Sequence, residues 1–181
     1  MFSSKLLPTL LVAGLVAVSG YRSATDPIRT SSLDGSSFAN IDFIRTVDFN
    51  LTMKVDFDRQ FITATNLITL KAVQDVSEIV LDYQGLKINS AQYSIVGMHP
   101  DGTWVNAYFE TQEDDQLGNA LRVFLTDKAK RNDTVLLSID YETTNESLSF
   151  NWLQKEQTAS QTLKYLYTKC EPIHCRAIAP L

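Results

Sequence analysis

The stretch Val47-Asp48-Phe49-Asn50-Leu51-Thr52-Met53-Lys54-Val55-Asp56-Phe57 decides the fold class, because apolar and polar residues alternate along it without a break. Successive side chains of an extended strand point to opposite faces, so this alternation marks a strand with one face in a core and the other in water. Val47, Phe49, Leu51, Met53, Val55 and Phe57 are therefore expected to face one core together. Asp58-Arg59-Gln60 supplies a turn. Phe61 to Ala72 then reads as a second strand, with Ile62, Ala64, Asn66, Ile68 and Leu70 alternating against Thr63, Thr65, Leu67 and Thr69. Two long strands joined by so short a turn form a hairpin.

Further β runs follow at close spacing: Glu78 to Tyr83, Leu86 to Val96, Thr103 to Glu110, Ala120 to Leu125 and Thr134 to Glu142. Turn-forming patches separate them, among them Gln84-Gly85 and His99-Pro100-Asp101-Gly102. No segment before residue 145 carries a helical period. The expected fold is all-β, an antiparallel sandwich or open curved sheet. Asn145 to Gln161 is polar and irregular apart from Phe150, Trp152 and Leu153, and Thr162 to Tyr167 is expected as a last strand.

Length and charge narrow the function. The 181 residues suit one domain, and 44% hydrophobic against 20% charged residues is ordinary globular composition. A net charge of −5 with no basic stripe argues against a nucleic-acid partner. Residues 1–20 differ from the rest: Lys5 is followed by the apolar run Leu6 to Val18 and then by small residues. That pattern is a secretory signal peptide, and the run falls short of the roughly 20 residues that span a bilayer. No other transmembrane segment is expected. Residues 21–40, rich in Ser, Thr, Gly, Asp and Asn, read as a flexible linker, leaving 41–181 as the domain. A secreted or periplasmic, extracytoplasmic location follows. Asn50, Asn132 and Asn145 each open an Asn-x-Ser/Thr triplet and are candidate glycosylation sites.

The sequence offers little catalytic chemistry of its own. Its two histidines are His99, in a turn where a solvated loop residue is expected, and His174, between Ile173 and Cys175. Cys170, His174 and Cys175 are soft donors, but a fourth ligand and a standard zinc spacing are missing, so no metal site is expected. A Cys170–Cys175 disulfide suits an oxidising compartment, yet residues five apart on a strand face opposite ways, so a bulge or turn would have to intervene. H-E-x-x-H, a Gly-rich phosphate loop and a G-x-S-x-G elbow do not occur, and no catalytic residue is assigned. The run Glu113-Asp114-Asp115 is expected to be a solvated turn.

The tail carries a family resemblance. Trp152-Leu153, Glu156-Gln157-Thr158, Tyr165-Leu166-Tyr167, Cys170-Glu171 and Ile173-His174-Cys175-Arg176-Ala177-Ile178 resemble the leukotriene A-4 hydrolase branch of the M1 zinc aminopeptidases. The resemblance extends more weakly back to the hairpin near Thr46 and so covers about residues 41–181. It implies a saddle-like β-sandwich of the aminopeptidase N type, packed in the family on a thermolysin-like catalytic domain. The family's zinc ligands and general base, in H-E-x-x-H with a further Glu, and its G-x-M-E-N loop have no counterpart here. Any zinc would thus belong to a full-length enzyme and not to this chain. The resemblance further implies that a Gln-x-Glu/Gln segment contacts the free α-amine of the substrate. Glu171 falls on its anionic position, Lys169 on the Gln position and Pro172 where a small residue is usual. A carboxylate suits an ammonium through charge-assisted hydrogen bonds, and a neighbouring cation opposes it.

Two readings follow. In the first, the chain is the N-terminal, substrate-side domain of a secreted zinc aminopeptidase, inactive alone, whose partners are the missing catalytic domain and a peptide N-terminus. Because the chain stops at Leu181, before the family's next segment, this reading expects a fragment whose β domain is incomplete at its C-terminal end. In the second, it is a stand-alone exported β-sandwich that binds a protein or glycan partner.

Overall fold

The computed structural model describes residues 29–181, so the expected signal peptide and the first part of the expected linker lie outside the described residues. Strand β1 (Ile44–Asp56) runs antiparallel to β2 (Phe61–Ala72), as the short turn between them requires. The chain continues through β3 (Val76–Tyr83), β4 (Leu86–Ile95), β5 (Val105–Asn106), β6 (Tyr108–Gln112), β7 (Asn119–Ala129), β8 (Thr134–Thr143) and the short pair β9 (Phe150–Leu153) and β10 (Tyr165–Thr168), with one 3-10 turn at Lys155–Gln157 between that pair and another at His174–Ala177 after it. Among the described residues three antiparallel sheets result, in the orders β1-β2-β8-β4-β5, β3-β7-β6 and β10-β9. Among the described residues no helix is long and apolar enough to cross a membrane.

The five-stranded and three-stranded sheets share one core. Ile62, Ile68 and Leu70 of β2, Leu137 and Ile139 of β8, and Tyr93 of β4 meet Ile79 and Leu81 of β3 and Leu121 and Val123 of β7 in a single buried cluster. Ile62, Ile68 and Leu70 come from the face that the period of two marks on β2. β1 departs from that pattern. Leu51, Met53 and Val55 only border the core, while Val47, Phe49 and Phe57 remain 66%, 48% and 40% exposed. Phe49 stands opposite Ile68, so it lies on the inner face, but β1 is the edge strand and the smaller sheet does not reach under all of it. Val47 sits at a register shift between Thr46 and Asp48, where the ladder is locally broken.

Two other expectations are corrected. Residues 36–40, expected to be flexible, are packed: Phe38 is buried against Val80 and Ala120 on the outer face of the three-stranded sheet. The Asn40 side chain donates to Glu78 O at 2.8 Å and accepts from Val80 N at 2.9 Å, standing in for a neighbouring strand on the β3 edge. His99 is not a solvated loop residue either. Its side chain is 11% exposed, Nδ1 accepts from Ile95 N at 3.1 Å, and Nε2 lies 3.2 Å from Asp127. Tyr93 donates its hydroxyl to the same Asp127 carboxylate. This polar cluster closes the start of β8, at the end opposite the tail, because Ile95 pairs with Val135. The Glu113-Asp114-Asp115 turn is as expected: Asp114 accepts from the backbone of Gln116 and Leu117, which holds its carboxyl below the usual range.

Candidate functional site

Beyond β10 the tail belongs to no strand and has only the 3-10 turn His174–Ala177, so most of its carbonyls need partners elsewhere wherever they are buried. The β body supplies them in series. Ser149 Oγ donates to His174 O (2.7 Å), Gln84 N to Arg176 O (2.9 Å) and Ser147 Oγ to Ala177 O (2.8 Å). Tyr141 Oη donates to Ile178 O (2.7 Å) and Asn66 Nδ2 to Pro180 O (2.8 Å). Leu181 exchanges both backbone bonds with Asp82 on the β3 edge, at 2.8 and 3.0 Å. Burial pushes the Tyr141 phenol well above its usual range, so it stays protonated and donates. Asn66 had been visible in the sequence as an amide among the apolar residues of one strand face. It is fully buried, and its amide nitrogen is spent on the tail.

Arg176 is the second anchor. It is buried, donates to the carbonyl oxygens of Leu117 and Ser36 (2.7 Å to the latter), and lies 3.7 Å from the buried Asp82 carboxylate. Asp82 in turn accepts from the Ser37 hydroxyl at 2.6 Å and from Phe38 N at 2.8 Å. One guanidinium thereby ties the tail, the turn before β7 and the segment before β1 to one carboxylate. Sequence reasoning missed it, since an Arg in an irregular tail carries no periodic signal.

These anchors fix a small loop at the surface. Lys169 N donates to Ser149 O at 2.9 Å, extending the β9–β10 ladder one step. The chain then turns: His174 N donates to Glu171 O at 2.8 Å, and Ile173 adopts a left-handed conformation with φ of 64°. That conformation costs a β-branched residue about 1–2 kcal/mol. The turn is what brings Cys170 and Cys175 within 4.7 Å between Cα atoms, and they form a disulfide. Strand geometry alone would have held them apart. With both thiols in that bond, neither is a metal ligand, and among the described residues no group of three or more His, Cys, Asp or Glu side chains could hold a metal ion. The described residues around this loop therefore do not fit a zinc ion.

The three sequence-assigned residues stand together on this loop. Lys169, Glu171 and Pro172 are all exposed, and Lys169 Nζ lies 3.3 Å from Glu171 Oε1. An exposed ion pair of this kind is worth at most about 1 kcal/mol, so a competing ammonium can open it. On the preceding strand Tyr165 and Tyr167 share the parity of Lys169, and both are exposed. The loop can thus offer a carboxylate to a cation, beside an aromatic surface.

A profile of the peptidase M1 N-terminal domain matches residues 45–181. Leukotriene A-4 hydrolase of Xenopus laevis is 30% identical over 148 residues, which is 81% of this chain and 23% of that protein. Leucine aminopeptidase 2 of Ajellomyces capsulatus is 26% identical over 160 residues, covering 87% of this chain and 24% of its own length. Among solved structures, native yeast LTA4 hydrolase superposes with a TM-score of 0.68 at 26% identity, over 81% of this chain and 22% of that one. The chain spans about a quarter of the length of the curated relatives it matches.

Proposed function

The chain belongs to the peptidase M1 family, whose N-terminal domain it carries, and from that premise we propose that it is the substrate-side domain of an exported zinc aminopeptidase. Glu171 receives the free α-amine of a peptide, and a catalytic domain elsewhere in the assembly supplies the zinc and the bond cleavage. The observation that carries this reading is the placement of Glu171. Its carboxylate is exposed on a loop whose two ends are fixed to a buried framework, which lets a surface residue keep one position. Lys169 moderates the site, because its ammonium competes for the same carboxylate. The exposed Tyr165 and Tyr167 on the strand that leads into the loop offer apolar surface of the kind that a docked domain covers.

Export is supported by the apolar N-terminal run and by the disulfide, since such bonds persist in oxidising compartments. In a eukaryotic secretory route Asn50, Asn132 and Asn145, all exposed, would be open to glycosylation.

A chimera tests the reading. Residues 45–181 replace the matched segment of the Xenopus laevis hydrolase, and kcat/KM is measured on an aminoacyl reporter with a free amine. Glu171→Ala is expected to lower it at least about thirtyfold, the low end for truncating one partner of a desolvated charge pair. Lys169→Gln is expected to raise it. An active chimera that is indifferent to Glu171→Ala would show the carboxylate to be a surface group and nothing more.

A further inference from the structure

Ser149 is fully buried, yet it touches the surface loop at both ends. Its backbone oxygen accepts from Lys169 N at 2.9 Å, just before Cys170, and its hydroxyl donates to His174 O at 2.7 Å, just before Cys175. One residue thus sets the distance between the two cysteines from the inside, while the disulfide sets it from the outside. Between these two fixings, Glu171 and Pro172 project into solvent, and Ile173 is held left-handed. Beyond His174 the tail is held by Tyr141, Ser147, Asn66 and the β3 edge, none of which depends on the disulfide.

We propose that Ser149 and the Cys170–Cys175 disulfide form a two-part latch on the Glu171 loop, closed by oxidation and opened by a dithiol, with Ser149 as the positioning residue. The regulatory meaning rests on the amine-binding reading of Glu171; the latch itself does not. Cys170 is exposed and Cys175 partly so, which gives a dithiol access to the sulfur of Cys170. Its thiolate attacks that sulfur and expels Cys175 as a thiolate. The second thiol of the reductant then resolves the mixed disulfide. The chain gains two electrons and two protons as two thiols, and the reductant leaves as its own disulfide. Once open, the loop no longer holds Ile173 in its strained conformation, and Glu171 loses its fixed place while the clamped tail and the core stay folded.

Coupling is reciprocal: if Ser149 holds the ends together, it must also favour the disulfide. The full chain is therefore equilibrated with graded dithiothreitol, the free thiols are alkylated, and the oxidised fraction is read by mass. Ser149→Ala is expected to move that equilibrium toward the dithiol form about fivefold, equivalent to one lost hydrogen bond. A merely structural contact would instead lower the urea midpoint of oxidised and reduced chains alike and leave this equilibrium in place. In the unaltered chain, reduction is expected to speed hydrogen exchange of the His174 amide at least about tenfold while amides of β2 and β8 keep their protection. A folded Ser149→Ala whose equilibrium stays within about twofold of the parent, or His174 exchange unchanged on reduction, overturns the latch. Should Ser149→Ala fail to fold, Cys175→Ser gives the permanently open loop, and the same His174 amide decides. The latch is read on this chain alone and the role of Glu171 on the chimera, so either can fail without the other.

Discussion

Replacing Arg176 by Ala should unravel more than the tail it sits in. The side chain is 7% exposed and makes two hydrogen bonds to carbonyls, of Ser36 and Leu117, besides its 3.7 Å approach to Asp82. A hydrogen bond from a charged donor contributes about 1.5–3 kcal/mol. Breaking a buried ion pair by removing one partner costs about 3–5 kcal/mol, because a charge is left buried alone. The two effects overlap at one site and do not add in full. Asp82 also keeps its bonds from Ser37 and Phe38, which soften its isolation. The expected loss is about 3–4 kcal/mol. That is a large share of the roughly 5–15 kcal/mol that holds a typical domain together. Equilibrium unfolding in urea measures it as a lower midpoint at nearly constant slope. Hydrogen exchange locates it, with the Phe38 amide losing protection although it is remote in sequence. Arg176→Met combined with Asp82→Asn should recover part of the loss, since no charge is then left buried. A loss under about 1 kcal/mol for Arg176→Ala, or a double variant no better than the single one, would refute the argument.

Gly85 has φ of +60°, and a Cβ there would lie 2.5 Å from the backbone of Glu146. Gly85→Ala should therefore cost more than about 2 kcal/mol by thermal unfolding, whereas Gly35→Ala, with open space around it, should be neutral. Ile68→Ala should cost about 2–5 kcal/mol and Val47→Ala less than about 0.5, a contrast that urea melts resolve and that separates the covered from the uncovered part of the hairpin. Tyr141 ionises in the unfolded chain near 10 and only well above that in the fold. Its contribution is complete below pH 10 and is lost as pH rises beyond it. Tyr141→Phe should thus be less stable at neutral pH by about 1 kcal/mol and show a flatter decline in alkali.

Much of the fold was legible because strand parity is a local property. The alternation from Ile62 to Leu70 assigns each side chain to a face without knowledge of the partner. Coverage is not local. Phe49 and Ile68 share a face, and only the extent of the smaller sheet decides that one is buried and the other is not. The same limit hid Phe38, whose neighbours Val80 and Ala120 are far off in sequence and lie on the face that parity marks as outward. The disulfide, named in the sequence as a bond that needed a turn, was left open for a different reason. It depends on a left-handed Ile, a conformation that sequence disfavours and tertiary contacts impose. Glu171 is singled out by resemblance alone, since nothing in its spacing distinguishes it from other exposed carboxylates.

What gives Glu171 a place is the sequence of supports behind it. A surface carboxylate on a free tail samples many positions, and its interaction with an ammonium is diluted by the entropy of ordering it. Here that ordering is carried by the fold. Asn66 and Tyr141 hold the tail to the five-stranded sheet, the Leu181–Asp82 bridge and Arg176 hold it to the three-stranded one, and Ser149 closes the last step. Asn66 is the costly member. Its Oδ1 has no partner in a fully buried position, and an apolar residue there would suit the core better. Asn66→Leu should accordingly leave global stability within about 1 kcal/mol of the parent, because a buried polar group is exchanged for packing while one hydrogen bond is lost. It should also free Pro180, seen as faster exchange at the Leu181 amide. Loss of several kcal/mol with the tail still protected would show that Asn66 serves the core and not the tail, and that the tail is positioned by the remaining bonds alone.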